Sequence, residues 1–152
     1  MKAQYINPFL DSASMVIQQM CNISPTRGEL SIKDVVFHDN HIWIKIGITG
    51  QLSGDIVYGL HKEVALRIVS AMMGGFPISE MDEMGKSAIS ELGNMISGNA
   101  SALLFNQGVS IDITPPQLVD DHQTLPAIGK ALTVPLDLGD LGRLEIQVFV
   151  LA

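Results

Sequence analysis

The chain has 152 residues with a formal net charge of −7. That acidity argues against nucleic acid and anionic lipid as partners, because both require a basic patch and the Lys and Arg residues are scattered. The length suits one domain, 1–152, with apolar content high enough to supply a sizeable core.

Tyr5 to about Met20 carries a helical period, with Phe9, Ala13, Val16, Ile17 and Met20 on one face and Pro8 expected in the first turn. Cys21, the single cysteine, falls at the end of this helix as a buried and unreactive thiol. It excludes an intrachain disulfide and fits a reducing cytoplasm. No run reaches the roughly 20 apolar residues that span a bilayer, and the first residues lack the apolar stretch of a secretory signal. Ser24 to Gly28 ends the helix and opens strands. Val35-Val36-Phe37 reads as β, His38-Asp39-Asn40 as a turn, and His41 to Ile48 alternates with period two. Thr49 to Gly54 turns into Asp55 to Leu60, a hairpin bracketed by glycines.

A short helix follows from Val64 to about Met73 and stops at Gly74-Gly75-Phe76-Pro77. Ser79 with Asp82 or Glu83 is expected to cap a long helix that runs to about Asn106 and closes at Gly108. The remainder is β: Val109 to Thr114, a break at Pro115-Pro116, a polar loop around Asp120-Asp121-His122, then Lys130 to Leu138 and Leu144 to Leu151. Gly139 to Gly142 joins the last two. The order α-βββ-αα-βββ predicts an α+β fold with a largely antiparallel sheet. Its two α-then-βββ halves hint at a duplication.

The long helix carries the most informative surface. With Leu92 taken as the buried direction and about 100° per residue, Met81, Met84, Ala88, Met95, Ile96 and Leu103 fall on the apolar side. Glu83, Ser87, Ser90, Glu91, Asn94, Ser97, Gly98 and Ser101 fall opposite. Solvated helix faces are usually clad in long Lys, Arg and Glu side chains. This one is mostly Ser and Gly, with Glu91 and Asn94 side by side at i and i+3. A smooth face with two functional groups suits close approach by another protein, although a solvated face that lacks Lys is an alternative. Asn99 projects onto the apolar side, where a buried amide needs partners; a structural hydrogen bond to backbone is expected there.

Other chemistry finds little support. His38, Asp39 and His41 are better explained as turn residues than as metal ligands, and Asp120, Asp121 and His122 as a solvated loop. No Cys/His set has zinc spacing. There is no Gly-x-Ser-x-Gly, and the glycines from Gly47 to Gly59 lack the phosphate-loop pattern.

Taken together, Tyr5-Ile6-Asn7-Pro8-Phe9, Thr49-Gly50, Gly54-Asp55-Ile56-Val57, Glu91-Leu92-Gly93-Asn94, Gly98-Asn99 and Ile113-Thr114-Pro115-Pro116 give the chain a resemblance. It resembles the CheC/CheX family of chemotaxis phosphatases, and the CheX side of it more closely. The resemblance implies hydrolysis of the aspartyl phosphate of a CheY-type response regulator. Asn94 would position water and Glu91 would pair with a Lys of the partner. Ser87, Ser90 and Gly98 would line the docking face. It also implies a cytoplasmic homodimer with one site per subunit and no cofactor of its own, the divalent cation belonging to the phosphorylated partner. CheC relatives carry two Glu-x-x-Asn motifs, whereas the first helix here has none. A module that binds a response regulator without turnover is the alternative function.

Overall fold

A computed structural model describes residues 3–34, 40–119 and 130–150, the side chains of Ala3 and Val150 excepted. Helix α1 spans Ala3–Cys21 and is followed by strands β1 (Thr26–Arg27), β2 (Ser31–Asp34), β3 (His41–Gly50) and β4 (Gly54–His61). Helices α2 (Lys62–Met72) and α3 (Glu83–Asn106) come next, then β5 (Ile111–Ile113), β6 (Gln117–Val119), β7 (Lys130–Asp137) and β8 (Arg143–Val150). All eight strands join one antiparallel sheet in the order β1-β7-β8-β4-β3-β5, with β2 also pairing β7 and β6 also pairing β3. The α+β expectation is met. Strands β1, β2 and β6 are not expected from the sequence; at two to four residues they are too short to show a period. The Val35–Phe37 strand, His38, Asp39, the 120–122 loop and Leu151 lie outside the described residues.

The pairing gives the two halves matching topology. Hairpin β3-β4 corresponds to hairpin β7-β8, and the two meet where β4 pairs β8. Each half lends its preceding short strand to the other: β2 pairs β7, while β6 pairs β3. Helices α1 and α3 precede these two sets, and their core residues match in spacing. Phe9, Ala13 and Ile17 in α1 correspond to Ile96, Ala100 and Leu104 in α3, and all six are buried.

Alternation along the strands builds the core. Ile42, Ile44, Ile46, Ile56, Tyr58, Leu144 and Ile146 point to the face that the three helices cover. Trp43, Val57, Val119 and Phe149 form a smaller cluster on the other face. Local chemistry sets the ends of α3. Asp82, rather than Ser79, caps it by accepting from the Gly85 N–H at 2.8 Å. At the other end Gly108 takes a φ of 84°, the Val109 N–H donates to Leu104 and the Gly108 N–H donates to Phe105. Pro8 falls in the second turn of α1 rather than the first, because the helix begins at Ala3. There it lacks the N–H that would have bonded the Gln4 carbonyl.

Candidate functional site

Three contacts fix how α3 sits on its bed. Gly93 lies against Ile44, so closely that a Cβ added there would stand 2.7 Å from Ile44 Cγ2. Ser97 is buried, and its Oγ lies 2.7 Å from the Tyr58 hydroxyl, which rises from the middle of the sheet. Burial pushes the Tyr58 hydroxyl well above its usual range, and the Ser97 bond offsets only part of that, so this tyrosine stays neutral. Asn99 Nδ2 donates to Ser12 Oγ of α1 at 3.0 Å. The expected structural role of Asn99 is met, with a side-chain hydroxyl in place of backbone as the partner.

These contacts correct the helical projection. The buried positions Gly85, Ile89, Leu92, Gly93, Ile96, Ser97, Ala100 and Leu104 are centred about 70° round from Leu92, at 100° per residue. Ser97, expected on the outward arc, is therefore inside, and Met84, expected on the apolar side, is exposed. Hydropathy misled here because Gly93 and Ser97 are buried by close approach of backbone to sheet, for which small size matters more than apolarity.

The outward stripe consists of Met84, Ser87, Glu91, Asn94, Gly98 and Phe105. Glu91, Ser87 and Gly98 are exposed, while Asn94 and Ser90 are half-buried, Ser90 at the margin. No hydrogen bond or ion pair ties the side chain of Glu91 or Asn94 to another described residue. A Cβ added at Gly98 would meet nothing within 4 Å, so no internal packing demands its small size. The stripe is a ridge and not a pocket. A cleft of about 360 Å³ lies between α2 and the start of α3, lined by residues including Lys62, Leu66 and Met81. One of about 290 Å³ lies beside α1 and β1. Neither is lined by Glu91 or Asn94.

Elsewhere, His41 packs its ring against Trp43 and His61, and the His61 Nδ1 accepts from the Glu63 N–H as the cap of α2. Among the described residues no three His, Cys, Asp or Glu side chains converge as metal ligands. Cys21 is half-buried rather than fully buried, and burial raises its pKa, which disfavours the thiolate. No helix of the described residues is long and apolar enough to cross a membrane.

An exposed carboxylate beside a carboxamide without a side-chain partner, on the outer face of α3, suits a protein that works on another macromolecule's surface. Comparison with known proteins agrees. Residues 42–136 match the family model for the chemotaxis phosphatase CheX. The chain is 34% identical over 139 residues to the CheY-P phosphatase CheX of Thermotoga maritima, covering 91% of this chain and 90% of that one. It is similar to the CheX of a crystallised CheX–CheY–BeF3–Mg2+ complex from Borrelia burgdorferi. That match has a TM-score of 0.82 and 28% identity over 97% of this chain and 98% of that one. A CheC-like superfamily protein from Shewanella sp. PV-4 superposes over all of both chains with a TM-score of 0.87 and 26% identity. The chain belongs to the CheX family of chemotaxis phosphatases.

Proposed function

We propose that this protein hydrolyses the aspartyl phosphate of a CheY-type response regulator, with Asn94 and Glu91 as the working residues. The observation that carries this is the pair itself: adjacent, with side chains unengaged by other described residues, and raised on a helix whose rotation is set by Gly93, Ser97 and Asn99. A ridge cannot enclose a small substrate. It can enter a concave site on a partner that brings the phosphoryl group with it.

In this account the Asn94 carboxamide holds a water in line with the phosphorus. The water oxygen attacks, the bond from phosphorus to the aspartyl oxygen breaks, and the products are the free carboxylate and inorganic phosphate. A neutral amide can orient water without repelling an anionic phosphoryl group, as a carboxylate would. Glu91 pairs with a Lys of the partner and fixes the docking angle. Ser87, Ser90 and Gly98 leave room for that approach. Phosphoryl transfer depends chiefly on positioning and charge stabilisation. The divalent cation and the neutralising Lys are the partner's contribution. The protein acts in the cytoplasm as a homodimer with one such site per subunit.

Phosphate release tests this directly. A phosphorylated receiver with Mg2+ should lose its phosphoryl group much faster when the protein is added, while free acetyl phosphate should be hydrolysed hardly at all. Tight binding without faster release would favour the alternative of a non-catalytic docking module. Brisk turnover of acetyl phosphate, unaffected by Asn94→Ala, would mean a different site and reaction.

A further inference from the structure

Single apolar side chains on a surface are ordinary, and their placement decides whether they mean anything. Met84 and Phe105 are 66% and 69% exposed, and both lie on the outward stripe of α3. At 100° per residue Met84 projects within about 20° of Glu91, and Phe105 within about 20° of Asn94. A rise of about 1.5 Å per residue puts Met84 about 15 Å before Asn94 and Phe105 about 16 Å after it. Ser87, Glu91, Asn94 and Gly98 fill the space between. The polar centre is thus bracketed almost evenly by two large apolar groups.

Neither group is needed to end the helix. The first turn is held by the Asp82 cap, and the last by the Gly108 turn, in which the Val109 N–H donates to the Leu104 carbonyl. A patch of ordinary interface size covers roughly 800 Å² on each partner, a disc about 16 Å in radius. Centred on Asn94, that disc reaches both residues. Aromatic anchors are over-represented among the residues that carry binding energy, and Met adapts to an uneven partner surface.

We propose that Met84 and Phe105 are the apolar anchors that seat the phosphorylated receiver along the length of α3. This rests on the function proposed above. Two anchors define an axis, and a partner gripped at both ends presents its acyl phosphate over Asn94 and its Lys over Glu91. Because the anchors stand far from the reacting phosphorus, they act on the docked complex and its transition state alike, and so on KM and not on kcat.

The test uses the full chain with Met84→Ser, Phe105→Ser and the double substitution, and Met84→Leu as the conservative control. Dephosphorylation of a phosphorylated CheY-type receiver gives KM and kcat. Titration with the beryllofluoride-activated receiver at low and high salt gives Kd. Each single variant should raise KM and Kd about three- to tenfold, and the double variant more than about tenfold. In all of them kcat should stay within about twofold and Met84→Leu should match the wild type. The salt dependence of binding should be unchanged, whereas Glu91→Gln should flatten it. If the double variant keeps a wild-type KM and Kd while Asn94→Ala loses turnover, the anchors are wrong and the proposed chemistry stands. Should Asn94→Ala turn over normally, the underlying function falls and this proposal with it. A shift in self-association by sedimentation, with receiver binding unchanged, would assign the two side chains to a second copy of this chain and overturn the proposal.

Discussion

The two halves of the molecule share one plan, but they present different residues on the outward faces of α1 and α3. By the spacing that matches their core residues, Gln4 and Asn7 of α1 stand where Glu91 and Asn94 stand in α3. Asn7 is exposed where Asn94 is half-buried, and Gln4 cannot offer a charge to a partner's Lys. The position of Gly98, open in α3, is taken in α1 by Asp11, whose carboxylate accepts from Arg27 Nη2 at 2.6 Å. Gly93, which draws α3 onto Ile44, corresponds to Ile6, an ordinary core residue. One scaffold therefore carries an amide in both places, and under the proposed function the surrounding residues decide which amide receives a phosphorylated partner.

Glu91→Lys should break the difference between the halves most severely. A like charge facing the partner's Lys should weaken receiver binding by about tenfold or more, whereas Gln4→Lys should leave it within about twofold. Isothermal titration with an activated receiver measures both. Gly98→Leu makes the α3 stripe resemble the crowded α1 stripe. It should raise KM about tenfold while leaving thermal stability equal or higher, since the added side chain enters open space and glycine is a poor helix former. A normal KM in that variant would remove Gly98 from the docking face.

The next effects act through the bed of α3. Gly93→Ala places a methyl against Ile44 Cγ2, a branched atom with nowhere to swing. It should cost about 1–3 kcal/mol in denaturant melts and also lower kcat, because α3 must lift or rotate. Tyr58→Phe leaves the Ser97 hydroxyl buried without a partner and should cost about 1–3 kcal/mol, partly restored by adding Ser97→Ala. Smallest of all, Asp11→Ala opens the exposed pair with Arg27 and should change stability by less than about 1 kcal/mol.

Much of this was legible in the sequence. Glycines that must turn the chain marked both hairpins: Gly50 and Gly54 have φ of 105° and 155°, and Gly139 and Gly142 have 62° and 120°. The period-two run from His41 became β3, and the Glu91/Asn94 pair stood out from its small neighbours without any coordinates. What escaped has physical reasons. Strand β6, three residues just after Pro116, is made by its pairing to β3 and not by its own pattern. Ser97 and Met84 changed sides because close packing, which favours small residues, rotated the buried arc away from the most apolar one. The correspondence of Gln4 and Asn7 with Glu91 and Asn94 needed the strand exchange between halves to be seen.

The central claim is that one amide, Asn94, does the chemistry, and that its counterpart Asn7 does not. The direct measurement is phosphate release from a saturating phosphorylated receiver with Asn94→Ala and Asn7→Ala side by side, together with the Kd of each for the activated receiver. The account predicts that Asn94→Ala lowers kcat about 100-fold or more with Kd within about threefold, and that Asn7→Ala matches the wild type in both. Turnover by Asn94→Ala within about twofold of wild type, or its loss in Asn7→Ala instead, would contradict it.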